Sequence, residues 1–510
     1  KEHKSLPDTP PPPFHLLISF PSLSPRVIMG ISEDIESLRE RVKREPDDAN
    51  VLHTLGAALC SAAGEPREGL VFLRRALEAG SDVPAEVLND IGLAHMALKD
   101  YAAALESFRS GIQQNPSFLP LRVNAGNALR YTNDHAGAMV EYREAAKLNP
   151  ADVAVLSNLG STLAFLGQSA EAKDCFEKVL EKEPKNAVAL LKLGEIAEES
   201  DDPDGAIKLL EKALKQNPSE PRVHFALGQA YEKKANVARA IASYRKAVEL
   251  DQHAFDWFLA LGVLQYHSGF IEDSVQSFER ASELDPSHAN THNHLGIAYQ
   301  ALQQQQAALS HFTRAVELDS GHAAGVANLG HVLDDMGLYE EAVERFLRAV
   351  RLDGTQASWY KKMGVSYTHL EQFDKAVDAF YTGLAIDERD ATIHYNVAAA
   401  YGKQAKLPPA AFHAQLCVEC DPDLAPGRSM CDMLRPHVKD ADIAAFKPQY
   451  EGRLQLLRAK YEAEAARREA EAKAREDREA AAQKERKELS EQKMLERAAA
   501  ERKRAEEEAK

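Results

Sequence analysis

Large apolar residues recur along residues 49–422 every three or four positions, in stretches of roughly a dozen residues parted by short polar turns, which predicts amphipathic helices. A longer period lies over the short one. Gly92, Gly126, Gly160, Gly194, Gly228, Gly262, Gly296, Gly330 and Gly364 stand 34 residues apart, Ala398 takes the next slot, and Gly56 precedes by 36. Twelve residues after each glycine comes a small residue, as in Ala104, Ala138, Ala240, Ser274 and Ala376. Small side chains let two helix backbones approach to about 8 Å, so this pair of slots predicts a Gly–Ala contact where two helices cross. Four residues on, along the same helical face, a large knob such as Phe108, Tyr142, Tyr244 or Phe346 is expected to fill the space beside it. Pro116, Pro150, Pro184, Pro218, Pro286 or Pro422 then closes the unit, because proline lacks an amide donor and ends a helix.

Each unit therefore reads as two antiparallel helices whose apolar faces are completed by the next unit. The pattern resembles the tetratricopeptide repeat over residues 49–422, in eleven units, although Gln252, Ser320, Gly354 and Glu388 replace the closing proline. The resemblance implies an all-α, right-handed α-solenoid. Residues 32–48 are expected to form a capping half-repeat with Leu38 in the knob slot, and residues 423–446 a C-terminal capping helix.

From residue 447 to 510 the chain turns to Ala, Glu, Lys and Arg, with 18 basic and 16 acidic residues and almost no large apolar ones after Tyr461. Pairs such as Glu464 with Arg468 and Glu471 with Arg475 each support a helix by about 0.2–0.5 kcal/mol. A sustained apolar seam is missing, so a long, solvated, charged single helix is expected rather than a strong coiled coil. At the other end, residues 1–31 are rich in Pro and Ser and read as a disordered leader, with Met29 as the expected true start.

The net charge of −17 disfavours a large basic face for nucleic acid. The apolar run at residues 14–20 is too short to span a bilayer, so no membrane insertion is expected. Five scattered cysteines do not form a disulfide framework and point to a reducing, cytoplasmic compartment, with a cilium or the cytoskeleton as alternatives. Motifs for phosphate or dinucleotide binding, HExxH and a nucleophile elbow are absent, so no catalytic residue, cofactor or enzyme activity is expected. Cys417 and Cys420, with Cys431, His413 and His437 nearby, have a zinc-like spacing, but their repeat register assigns both cysteines to buried apolar slots and no metal is expected.

The informative positions lie on the first helix of each unit, on the side expected to be concave. Two residues before the repeat glycine stand Asn124, Asn158, Lys192, His294, Asn328 and Lys362, with Asn396 two before Ala398. One after the glycine stand Asn127, Gln229 and His331. An amide side chain donates to a peptide carbonyl and accepts from a peptide N–H at once, which suits capture of an extended backbone; the same residues also suit a solvent-facing surface. The partial asparagine ladder resembles that in the repeat region of O-linked N-acetylglucosamine transferase, although nothing after Asp423 matches a catalytic region of that size. Asn127, Asn158 and Lys192 resemble part of a co-chaperone carboxylate clamp, but Val123 and Val188 replace its lysines and Glu195, Glu198 and Glu199 oppose a carboxylate. The sequence thus predicts a non-catalytic scaffold for a protein or peptide partner. The alternatives are a permanent component of a large ciliary or cytoskeletal complex and, behind it, a co-chaperone.

Overall fold

The computed structural model describes residues 35–508, with side chains only as far as the stretch around residue 478. The leader expected over residues 1–31 and the expected start at Met29 lie outside the described residues. The chain divides into two compact units between His253 and Ala254.

The first unit opens with α1 (Ile35–Arg44), followed by six helix pairs: α2 (Ala49–Ser61) with α3 (Pro66–Glu78), α4 (Pro84–Ala97) with α5 (Tyr101–Gln114), α6 (Leu119–Tyr131) with α7 (His135–Leu148), α8 (Val153–Phe165) with α9 (Ser169–Lys182), α10 (Ala187–Glu199) with α11 (Pro203–Gln216), and α12 (Pro221–Lys233) with α13 (Val237–Leu250). The second unit holds five pairs: α14 (Phe255–His267) with α15 (Ile271–Leu284), α16 (Ala289–Ala301) with α17 (Gln305–Leu318), α18 (Ala323–Asp335) with α19 (Tyr339–Leu352), α20 (Ala357–His369) with α21 (Phe373–Ile386), and α22 (Ala391–Lys403) with α23 (Leu407–Cys420). It ends with α24 (Ala425–Leu434), a 3-10 turn at Arg435–His437 and the long helix α25 (Asp440–Glu508). The eleven pairs realise the all-α repeat array.

Local chemistry sets the helix ends. Asp100, Asp134 and Asp202 each accept a hydrogen bond from the backbone N–H three residues on, satisfying one of the unpaired donors of a helix start. The first helix of each repeat from the second onward closes on a left-handed residue seven positions after the repeat glycine or Ala398. Gly167, Gly269 and Gly337 supply it in three repeats; Lys99, Asn133, Asp201, Ala235, Gln303, Glu371 and Ala405 do so elsewhere, with φ of 54–60°. Beside Lys99, the N–H of Asp100 donates back to the carbonyl of His95 at 2.9 Å, which stops the helix and reverses the chain.

The helix crossing differs from the expected Gly–Ala contact. The knob lies over the glycine: a Cβ at Gly228 would stand 2.4 Å from the Tyr244 ring, and one at Gly92 2.2 Å from Phe108. Ala240 and its equivalents are fully buried beside this contact. A ring occupies the space left by the absent side chain in most repeats, and Leu210 does so over Gly194.

The C-terminal region also departs from expectation. The capping helix expected over 423–446 is broken at Arg435–His437, and the long helix starts at Asp440, not at 447. Its first turns have a core after all. Ile443, Tyr450 and Leu454 are buried in one apolar cluster with Tyr381, Leu384, Val397, Tyr401 and Phe412 of α21–α23. Arg453 pairs with Asp378 and covers the Tyr381 ring at 4.1 Å, and Arg458 pairs with Glu388. Arg468 then donates to the Val350 carbonyl at 3.3 Å. Among the described side chains beyond it, Glu469, Ala470 and Glu471 are exposed.

Candidate functional site

All ten candidate residues lie on first helices. In the first unit Asn124 and Asn127 sit on α6, Asn158 on α8, Lys192 on α10 and Gln229 on α12; in the second, His294 is on α16, Asn328 and His331 on α18, Lys362 on α20 and Asn396 on α22. Nine are partly buried. Asn124 departs from the solvent-facing surface expected of it, being only 1% exposed.

Burial of Asn124 follows from a polar network that crosses three repeats of the first unit. Asn124 Nδ2 donates to Asn89 Oδ1 at 2.8 Å, Asn89 Nδ2 donates to Asp90 Oδ1 at 3.3 Å, and Asp90 Oδ2 meets His53 Nε2 at 2.8 Å. All four side chains are buried. Asn124 Oδ1 ends the network without a hydrogen-bond partner. The same amide-to-amide bond recurs in the second unit at the same repeat register, where Asn328 Nδ2 donates to Asn293 Oδ1 at 3.0 Å. Asn89 and Asn293, three residues before their glycines, complete these pairs and were missed by reading only the neighbouring slots.

Asn127, Lys192, His294, His331 and Lys362 are held by neighbours. Asn127 accepts from the hydroxyl of the knob Tyr142 at 2.6 Å, and burial pushes that phenol up to about 12. Lys192 pairs with Glu195 at 2.6 Å, an acid that also takes Arg222 at 3.2 Å. Glu198 in turn takes Lys233 at 2.8 Å, so both acids are internally neutralised. His294 stacks on Phe278 with centroids 5.2 Å apart, and His331 meets Phe346 edge-on at 5.0 Å. Burial, then neighbouring positive charge, draws both imidazoles down to about 4, so both are neutral at pH 7. Lys362 lies 4.0 Å from Asp334, which accepts from Ser366 at 2.6 Å.

The structure also builds a histidine relay in the second unit. The Glu388 carbonyl can only accept, so His394 Nε2–H donates to it at 2.9 Å and the Nδ1 of the neutral ring is bare. That Nδ1 accepts from His413 Nδ1–H at 3.0 Å, which leaves His413 Nε2 to accept from the Tyr381 hydroxyl at 2.9 Å. Tyr450 of α25 packs against His413 with centroids 5.2 Å apart. His292 and His311 form an equivalent pair at 3.3 Å. The shared spacing of 19 residues was the sequence signal for both. Cys417 is buried against Gly427, its thiol pushed up to about 11 by burial, while Cys420 is only partly buried. Among the described residues no group of three His, Cys, Asp or Glu side chains is placed to hold a metal, and no helix is long and apolar enough to cross a membrane.

Comparison with known proteins agrees with this architecture. A curated relative, the Protein CTR9 homolog of Arabidopsis thaliana, is 34% identical over 80 residues, which is 15% of this chain and 7% of that protein. The match therefore spans a small part of the relative's length. Among solved structures, the APC/C hetero-tetramer Cut9–Hcn1 is 14% identical with a TM-score of 0.39, over 82% of this chain and 98% of that one. MamA from Desulfovibrio magneticus RS-1 is 24% identical with a TM-score of 0.31, over 33% and 96%. Models of the family described as Tetratricopeptide repeat match residues 61–117, 119–152, 166–230, 197–257, 259–323 and 328–391, more than half of the sequence. With the 34-residue register and the helix pairs, these matches show that the chain belongs to the tetratricopeptide repeat family.

Proposed function

We propose that the chain is a non-catalytic protein-interaction scaffold that holds an extended or helical partner segment along the first helices of its repeats. The observation that carries this reading is the recurrence of the Asn89–Asn124 and Asn293–Asn328 bonds at one register in two units. An amide fixed by another amide is pre-organised, so a peptide backbone meeting it loses less side-chain freedom on binding. Asn124 is the buried end of such a pair, with an acceptor still unmatched. Asn127, Asn158, Lys192 and Gln229 in the first unit, and His294, Asn328, His331, Lys362 and Asn396 in the second, are the positions proposed to touch the partner.

The test compares partners captured from the native cell extract by the wild-type chain with those captured by an Asn158→Ala, Asn328→Ala and Asn396→Ala variant. Each substitution is expected to weaken binding by about 0.5–1.5 kcal/mol, enough together to lose a micromolar partner. The thermal midpoint checks that the fold is intact. If the triple variant keeps every partner while removal of residues 440–510 loses them, the reading fails and that of a component built into a larger assembly replaces it.

A further inference from the structure

The repeat register makes the second unit comparable with itself. The α25 helix fills a cleft walled by α21 and α23 and floored by α22, placing Tyr450 and Leu454 in one apolar cluster with Val377, Leu384, Val397 and Tyr401. Sixty-eight residues earlier, in the same register, a cleft of about 480 Å³ lies between α17 and α19 over α18. Its apolar lining is conserved in kind: Leu309, Val316, Leu329 and Leu333 stand where those four residues stand in the filled cleft. No segment of the described chain occupies it.

The rims differ in charge. In the filled cleft Asp378 and Glu388 take Arg453 and Arg458 of α25. Their counterparts in the open cleft are Ser310 and Ser320, while Arg345 and Arg348 replace His413 and Leu416. Glu317 and Glu341 also line the open cleft, and Glu317 is held by Arg314 at 3.2 Å. Arg348 donates to the Ser320 carbonyl at 2.7 Å. Arg345 is poorly matched: its Nε is buried without a hydrogen-bond partner, and its ion pair with the adjacent Glu344 is 4.0 Å long. In other repeats this slot faces a polar mate on the first helix, as in Arg122 with Glu141 at 3.1 Å and His394 with His413. Opposite Arg345 the mate is Val326. With Glu317 taken by Arg314 and its own Nε buried without a partner, the Arg345 guanidinium on this apolar cleft is completed by a carboxylate brought from outside.

We propose that this cleft is a second interaction surface, distinct from the first-helix face, and that it takes an amphipathic helix of a partner protein. That helix docks as α25 docks, with a large apolar pair four residues apart, but carries Asp or Glu where α25 carries Arg453 and Arg458. Sequence similarity between the two clefts supplies the geometry, and the exchanged rim charges supply the selectivity.

The probes are two fluorescent peptides stapled as helices: residues 447–460 of this chain, and the same segment with Arg453→Glu and Arg458→Glu. The full chain is expected to bind the charge-reversed peptide at least about tenfold more tightly than the native one, by an interaction that weakens as salt is raised. Arg345→Glu with Arg348→Glu should invert that preference. Arg348→Glu alone should lower the ratio if the double variant does not fold, as judged by circular dichroism. Equal binding of both peptides, binding of neither, or a preference unmoved by the arginine variants overturns the proposal. So does sedimentation showing a dimer that the arginine variants dissociate, because the occupant would then be a second copy of this chain.

Discussion

Asn124 and Ala235 show what single residues contribute and how far sequence reveals them. Asn124 was visible as a polar residue in an apolar helix, but its burial was not, because its mate Asn89 lies 35 residues away in another repeat. Polarity alone suggests exposure, and inside a buried hydrogen-bonded network it carries no such message. Asn124→Ala would leave Asn89 Oδ1 buried and unpaired, so a loss of about 1–3 kcal/mol in chemical denaturation is expected, whereas a surface amide would change stability by less than about 0.5 kcal/mol. Ala235 is the reverse case. Its left-handed φ of 54° places its Cβ against the following carbonyl, at a position where other repeats have Gly167, Gly269 or Gly337. Nothing in the composition of this slot marks it, since Lys99, Gln303 and Glu371 also occupy it. Ala235→Gly is expected to raise stability by about 0.5–1 kcal/mol, read as a higher denaturation midpoint; a lower midpoint would mean that the turn is not strained.

At the scale of elements, the helix pairs were legible because glycine, small residue and knob repeat with fixed spacing, and the structure explains the spacing through ring-on-glycine packing such as Tyr244 over Gly228. The docking of α25 was not legible. Tyr450 and Leu454 sit in a stretch dominated by charge, and their partners lie in repeats whose apolar residues were already assigned to helix pairing. Two substitutions at one residue separate the contributions to docking. Tyr450 is 4% exposed, yet its hydroxyl has no hydrogen-bond partner. Tyr450→Phe keeps the ring and removes an unsatisfied group, so the midpoint should hold or rise, by up to about 1 kcal/mol. Tyr450→Ala removes the ring from the cluster and should lower stability by about 3–5 kcal/mol, with faster proteolysis of the C-terminal helix. If Tyr450→Phe is as harmful as Tyr450→Ala, the hydroxyl has a partner and the docking described for α25 is wrong in detail.

Over the whole molecule, the two units are built from one repeat but differ in how they should respond to acid. Burial draws down His294, His311, His331, His394 and His413 in the second unit, and His95 and His135 in the first. An imidazole with a folded pKa below its unfolded value of about 6.5 is held neutral by the fold. Above that value folded and unfolded chains bind the same protons and the stabilisation is complete. As pH falls below about 6.5 the unfolded chain gains protons that the fold refuses, so stability drops, by up to about 1.4 kcal/mol per pH unit for a fully buried imidazole such as His413 and by less, through solvent screening, for His95 and His135, until the folded pKa is reached. The relay sharpens this, because a proton added to His394 Nδ1 would set one N–H against the N–H of His413. Hydrogen exchange at pH 7.5 and 5.5, corrected for the intrinsic rate, should therefore show a larger loss of protection in residues 254–434 than in residues 49–250. Replacing His394 and His413 together by Gln should lower stability at pH 7.5 but flatten its dependence on pH. An equal loss in both units, or a steeper dependence in the double variant, would show that the buried imidazoles do not govern the acid response.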